Sequence, residues 1–193
     1  MRIMTATRRV VIFAAVLASA AVLACAVVPC VYAAEAPTES QVEAVFVFNF
    51  SRFVDWPPEA FAAPTDPFVI GILGSDPFGT RLDEAVRGEA INGRPLVVRR
   101  FRNVAEIGNC QILFIDRSET ERLKQILAAL DHRSTLTVSE VDGASQRGVM
   151  IQFATENHRI RLRINVESAR AAGLTISSKL LRPAEIVATE GSG

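Results

Sequence analysis

The chain has 193 residues, is 49% hydrophobic and carries 21 Lys+Arg against 21 Asp+Glu. Its length sets an expectation of one domain. Balanced charge excludes nucleic acid as a general partner, since phosphate binding is driven by clustered positive charge.

Arg2, Arg8 and Arg9 precede an apolar run from Val10 to Val31, and Val31, Tyr32, Ala33 gives residues small enough for signal cleavage. This reads as a secretory signal cut after about Ala33, so that residues 1–33 are removed. Two alternatives use the same run: a single transmembrane anchor, or a lipobox, Val22, Leu23, Ala24, Cys25, in which a lipidated Cys25 becomes the mature N-terminus. Cleavage takes away three arginines and no acid, so 21 basic residues become 18 against 21 acidic ones. It also removes Cys25 and Cys30. Cys110 is then left alone in an oxidising compartment, and its place before the apolar run Ile112 to Ile115 predicts a buried, unpaired thiol.

Thr38, Glu39, Ser40 and Gln41 form a T-x-x-Q capping box that opens a helix expected to run to Trp56 and to end at Pro57 and Pro58. Val42, Val45, Phe46, Asn49, Phe53 and Trp56 fall on one helical face, read as the core stripe. Ala44, Val47, Phe48 and Phe50 lie on the other faces, so the helix is expected to be covered on more than one side, either as a core helix packed against a sheet or with its second face against another chain.

Pro57 to Pro67 reads as a loop, and the apolar run Phe68 to Leu73 as a strand buried on both faces. Asp76 and Pro77 are expected to cap a short helix that buries Leu82, Ala85 and Val86. Asn92 and Gly93 mark a tight turn into a strand at Arg94 to Phe101. Gln111 to Ile115 is a third strand. Ser118 and Glu121 form a second capping box for a helix with Leu123, Ile126, Leu127 and Leu130 on one face. Thr135 to Ser139 is a fourth strand, and Val149 to Ala154 with His158 to Asn165 form an antiparallel hairpin. Asn165 caps a helix from Val166 to Ala172 that Gly173 ends. The expected architecture is a single α/β domain over residues 38–187, with a mixed, partly parallel sheet, helices on both faces and a flexible tail at 188–193.

Catalytic patterns are missing. Gly74 to Thr80 has glycines at the spacing of a phosphate loop but no lysine, and Asp76 adds negative charge, so it reads as a capped strand-to-helix turn. The two histidines, His132 and His158, have no nucleophile elbow near them in sequence, and no His, Cys, Asp or Glu cluster has metal-ligand spacing. Asp116 ends a strand where α/β sheets tend to bind ligands, but a role in the following turn is the plainer account. No catalytic residue, cofactor or metal is therefore expected. The suggestive surface is basic: Arg159, Arg161 and Arg163 alternate with Ile160, Leu162 and Ile164, so three guanidiniums share one strand face and can bind acidic groups of a partner. Ser177, Ser178 and Lys179 supply further donors, or simply cap a last short turn.

These residues also carry a resemblance. Phe48, Asn49, Phe50 with Phe53 to Pro57; Ile72, Leu73, Gly74 with Asp76 to Gly79; Ile91 to Pro95; Cys110 to Ile115; Gly148 to Ile151; and Ile164, Asn165 with Gly173, Leu174 and Ile176 to Leu181 together resemble the YfiR family of exported regulators. The resemblance implies a periplasmic, non-enzymatic α/β protein, often a homodimer. It implies repression of an inner-membrane diguanylate cyclase, or of another membrane signalling protein, with effects on cyclic-di-GMP and biofilm. It also implies a departure. The better-known member carries a cysteine where this chain has Gly71, so Cys110 lacks that partner and redox sensing by an intrachain disulfide is not expected. A periplasmic small-ligand sensor serving a receptor or transporter is the other reading, and the neighbouring gene would separate the two.

Overall fold

The structure is a computed structural model that describes residues 37–157 and 159–190. The expected signal, anchor or lipobox and the end of the tail fall outside the described residues.

Helix α1 spans Glu39–Phe53, and the Gln41 side chain accepts the Thr38 N–H at 2.7 Å, which closes the reciprocal half of the capping box. It stops three residues short of Trp56. Val54–Asp55 instead form a short strand, β1, paired antiparallel with Thr175–Ile176 (β9), a contact too distant in sequence to be read locally.

The main sheet has eight strands: β2 (Phe68–Leu73), β3 (Ala90–Ile91), β4 (Arg94–Phe101), β5 (Ile112–Ile115), β6 (Leu136–Ser139), β7 (Ile151–Glu156), β8 (Arg159–Ile164) and β10 (Glu185–Ile186). Their order is β10-β8-β7-β6-β5-β2-β4-β3. The pairs β3–β4 and β7–β8 are antiparallel and the others parallel. Asn92 and Gly93, at φ 52° and 79°, turn the first antiparallel pair, as the Asn-Gly dipeptide predicts.

All six residues of β2 are buried, and alternation sorts them between two cores. Phe68, Ile70 and Ile72 face a large cluster with Phe114, Val138, Ile151, Leu162 and Ile164. Over it lie α1, α2 (Thr80–Val86), α4 (Val166–Ala171) and α5 (Ser178–Leu181), which insert Phe50, Leu82, Ala169 and Leu180. Val69 and Leu73 face a smaller cluster covered by α3 (Leu123–Ala129). Helices thus cover both faces. No helix among the described residues is long and apolar enough to cross a membrane.

Several local readings need correction. Asp76 does not cap α2, whose N-cap is Gly79; its Oδ1 accepts the Phe78 and Gly79 amides and closes the preceding turn. The Ser118–Glu121 box is not the cap of α3. A 3-10 turn at Arg117–Arg122 comes first, and Asp116 caps it by accepting the Ser118 N–H at 2.8 Å. Asn165 does cap α4, accepting the Ser168 N–H, and Gly173 follows that helix at φ 74°. Near the C-terminus the chain is tied to the sheet: the Val187 N–H donates to the Ile164 carbonyl, Asn165 Nδ2 to the Thr189 hydroxyl and the Glu190 N–H to the Gln146 carbonyl.

Candidate partner interface

The face of α1 turned to the sheet carries Glu43, Ala44, Val47, Phe50 and Ser51. The stripe read as core, Val42, Val45, Phe46, Asn49 and Phe53, lies to the side of it, with Phe46 and Phe53 packed against the margin of the large core. Val45 is 52% exposed and the others are half-buried. The periodicity misplaces the centre of the buried face because both faces are apolar, and the 3.6-residue period then has no phase.

Phe46 leans from this outward face onto the core, with ring centroids 6.3 Å from Phe50 and 6.1 Å from Phe153. Beside it a groove of ≈ 460 Å³ is lined by Pro37, Glu39, Val42, Phe46, Thr155, Arg159 and Ile160. The Thr155 hydroxyl donates to the Glu39 carboxylate along its wall. The groove therefore joins the outer side of α1 to β8.

On β8, Leu162 and Ile164 enter the large core while Arg159 and Arg161 are exposed on the alternating positions, as expected. Arg163 is different. Its Nε contacts Glu185 and its Nη2 contacts Glu156, both at 2.9 Å, so it is already neutralised, and these acids raise its pKa. The stripe is thus two guanidiniums with no ion-pair partner among the described residues and one locked in place, because β10 and the end of β7 bring acids that local sequence did not place there. Ser177 caps α5 by accepting the Lys179 N–H, and its own N–H donates to the Phe53 carbonyl. That helix packs Leu180 on the same side as Leu162 and Ile164, away from the arginines. Ser177, Ser178 and Lys179 are therefore not adjacent to the basic stripe; the capping account describes Ser177.

A second charged group was not legible. Where β5 and β6 end, Arg117 and Glu140 pair at 3.0 Å beside Glu43, which is 2% exposed. Burial, then the nearby carboxylates Glu140 and Glu39, push the Glu43 pKa from 4.5 up to about 8, against the pull of Arg117. Burial likewise raises Glu140, which Arg117 partly offsets. No motif marks a glutamate that the helix turns inward.

At the opposite end of the strands a pocket of ≈ 360 Å³ is lined by Trp56, Phe61, Phe68, Ile91 and Arg94 among others. Two of its polar groups are engaged: Trp56 Nε1 donates to the Gln111 carbonyl, and Arg94, stacked 3.9 Å over Phe61, donates to the Ala63 and Asp66 carbonyls. The glycine turn after β2 is also satisfied, since Asp76 takes its amides and Arg100. Cys110 is free and 3% exposed, and burial raises its thiol to about 12. A Cβ on Gly71 would stand 2.7 Å from Cys110 Sγ, which supports the side-by-side placement that the resemblance implied.

The described domain is one mixed α/β sheet with helices on both faces, and on α1 Val45 is the exposed large apolar residue. The YfiR/HmsC-like family model matches residues 40–185, and the chain belongs to that family. No curated protein matches it.

Proposed function

We propose that this protein is an exported regulator that restrains a membrane signalling protein, a diguanylate cyclase in the first instance, by binding its periplasmic domain and so lowering cyclic-di-GMP. In this reading the signal is cut after about Ala33, the mature chain works in the periplasm as a homodimer, and it performs no chemistry. Membership of the YfiR/HmsC-like family over residues 40–185 carries the reading. The outward face of α1, with Val45 half exposed, supports it as a surface to be covered.

The test is a Val45→Glu substitution in cells that produce the chain with the membrane protein encoded beside it. Val45 is outside the core, so the fold should be kept while cyclic-di-GMP rises to the level of a deletion strain. Full repression by a folded, exported variant would sink this use of α1. The pocket at Trp56 and Arg94 favours a second reading, a small-ligand sensor, which predicts instead that Trp56 fluorescence responds to a metabolite.

A further inference from the structure

Strand β8 has an outer edge that is only half used. β10 pairs with Arg163 and Ile164 alone, and among the described residues no strand lies against Arg159 to Leu162. On the inner side the Asn165 N–H donates to the Met150 carbonyl, and the register to β7 continues two residues at a time through Arg163, Arg161 and Arg159. In an antiparallel ladder the intervening residues turn their amides and carbonyls outward. Ile160 therefore offers its amide and carbonyl to the open side and Leu162 its amide, the Leu162 carbonyl being taken by the Glu185 N–H as the pairing of Glu185 with Arg163 requires.

The surroundings of this edge specify an occupant. On one face lies the apolar groove of Val42, Phe46 and Ile160. Arg161 is exposed on the other face and Arg159 is exposed at the margin of the groove; neither has an ion-pair partner among the described residues, whereas Arg163 is held by Glu156 and Glu185. Side chains of an added strand alternate between these faces. A second copy fits badly, since pairing β8 with itself sets arginine against arginine.

We propose that the outer edge of β8 receives an extended segment of the partner protein whose side chains alternate apolar and acidic, the apolar ones entering the groove beside α1 and the acidic ones meeting Arg159 and Arg161. This rests on the reading of the chain as a binding regulator, and it names the kind of segment that its partner presents. Main-chain bonds would supply affinity and the alternating contacts specificity.

The probe is a short peptide of alternating Val and Glu, blocked at both ends, added to the mature chain at neutral pH. Saturation should slow hydrogen exchange at the Ile160 and Leu162 amides about tenfold or more. A Val and Lys peptide should have no such effect, and an Arg159→Glu/Arg161→Glu double variant with an unchanged circular dichroism spectrum should bind the acidic peptide at least about tenfold more weakly. Equal binding of the two peptides, saturation without protection of those amides, or no binding at millimolar peptide overturns the proposal. Cellular cyclic-di-GMP separates it from the reading beneath it. If Val45→Glu derepresses while the double arginine variant represses fully, the regulator stands and the edge site fails. If the acidic peptide protects the edge but deleting the chain leaves cyclic-di-GMP unchanged, the edge site stands and the regulator fails.

Discussion

Glu43 is a charge placed where the helix must bury it, and its protonation has a calculable sign. Its folded-state pKa, about 8, lies above the ordinary value of 4.5, so the native protein keeps a proton that the unfolded chain releases between those limits. Stability from this group is fully present below about pH 4.5 and is lost as pH rises through about 8. Glu43→Gln should therefore flatten the pH profile and raise stability above pH 8 by about 1–3 kcal/mol, since one unit of pKa is worth 1.36 kcal/mol. Denaturant unfolding across that range checks it, and parallel profiles for the two proteins would mean that Glu43 is ionised in the fold. Gly71 gives a second test at this scale. A methyl there would meet Cys110 Sγ and Phe101 Cε2 at 2.7 Å and Leu113 Cδ1 at 3.0 Å, all inside a packed core. Gly71→Ala should cost about 1–3 kcal/mol through overpacking, and a wild-type denaturation midpoint would show that those side chains yield freely.

Among the elements, α1 separates what sequence pattern reveals from what it hides. Val47 is fully buried and Val45 half exposed, two residues apart on one helix. Val47→Ala should cost roughly 2 kcal/mol by cavity formation, whereas Val45→Ala should stay within about 0.5 kcal/mol; equal costs would mean that the outward face is covered in the isolated protein. Strand β2 was legible to its bounds because six apolar residues ending at a glycine admit few other readings. The turn at Asn92-Gly93 and the cap at Asn165 were legible because their chemistry is local, whereas the short strand Ala90–Ile91 before that turn was not. What was not legible depended on distant partners. β1 exists because Thr175 and Ile176 reach it, and Arg163 is quenched because Glu185 arrives from beyond two helices. The candidate interface was half readable for the same reason: alternation places Arg159 and Arg161 outward, but nothing in β8 announces that β10 covers two of its residues only.

For the whole molecule, the two cores are not independent, because they are opposite faces of the same strands. Phe68, Ile70 and Ile72 serve one and Val69 and Leu73 the other, and Phe114 alternates with Leu113 and Ile115 in the same way. Neither cluster can open while β2 and β5 keep their pairing, so unfolding should be a single cooperative step, as is usual for domains of this size. Two natural probes watch the two sides. Trp56, the one tryptophan of the chain, packs edge-on against Phe68 at 4.8 Å on the margin of the large core. Cys110, the sole cysteine beyond residue 33, is buried in the small one. Its thiol, raised to about 12 by burial, should stay inert to thiol reagents in the folded chain, because the thiolate is the reactive form. With rising denaturant, the loss of native Trp56 fluorescence and the exposure of Cys110 in a short labelling pulse should share one midpoint in the mature protein. Labelling that begins at lower denaturant than the Trp56 transition would show that the side covered by α3 opens on its own, and would refute the argument from shared strands.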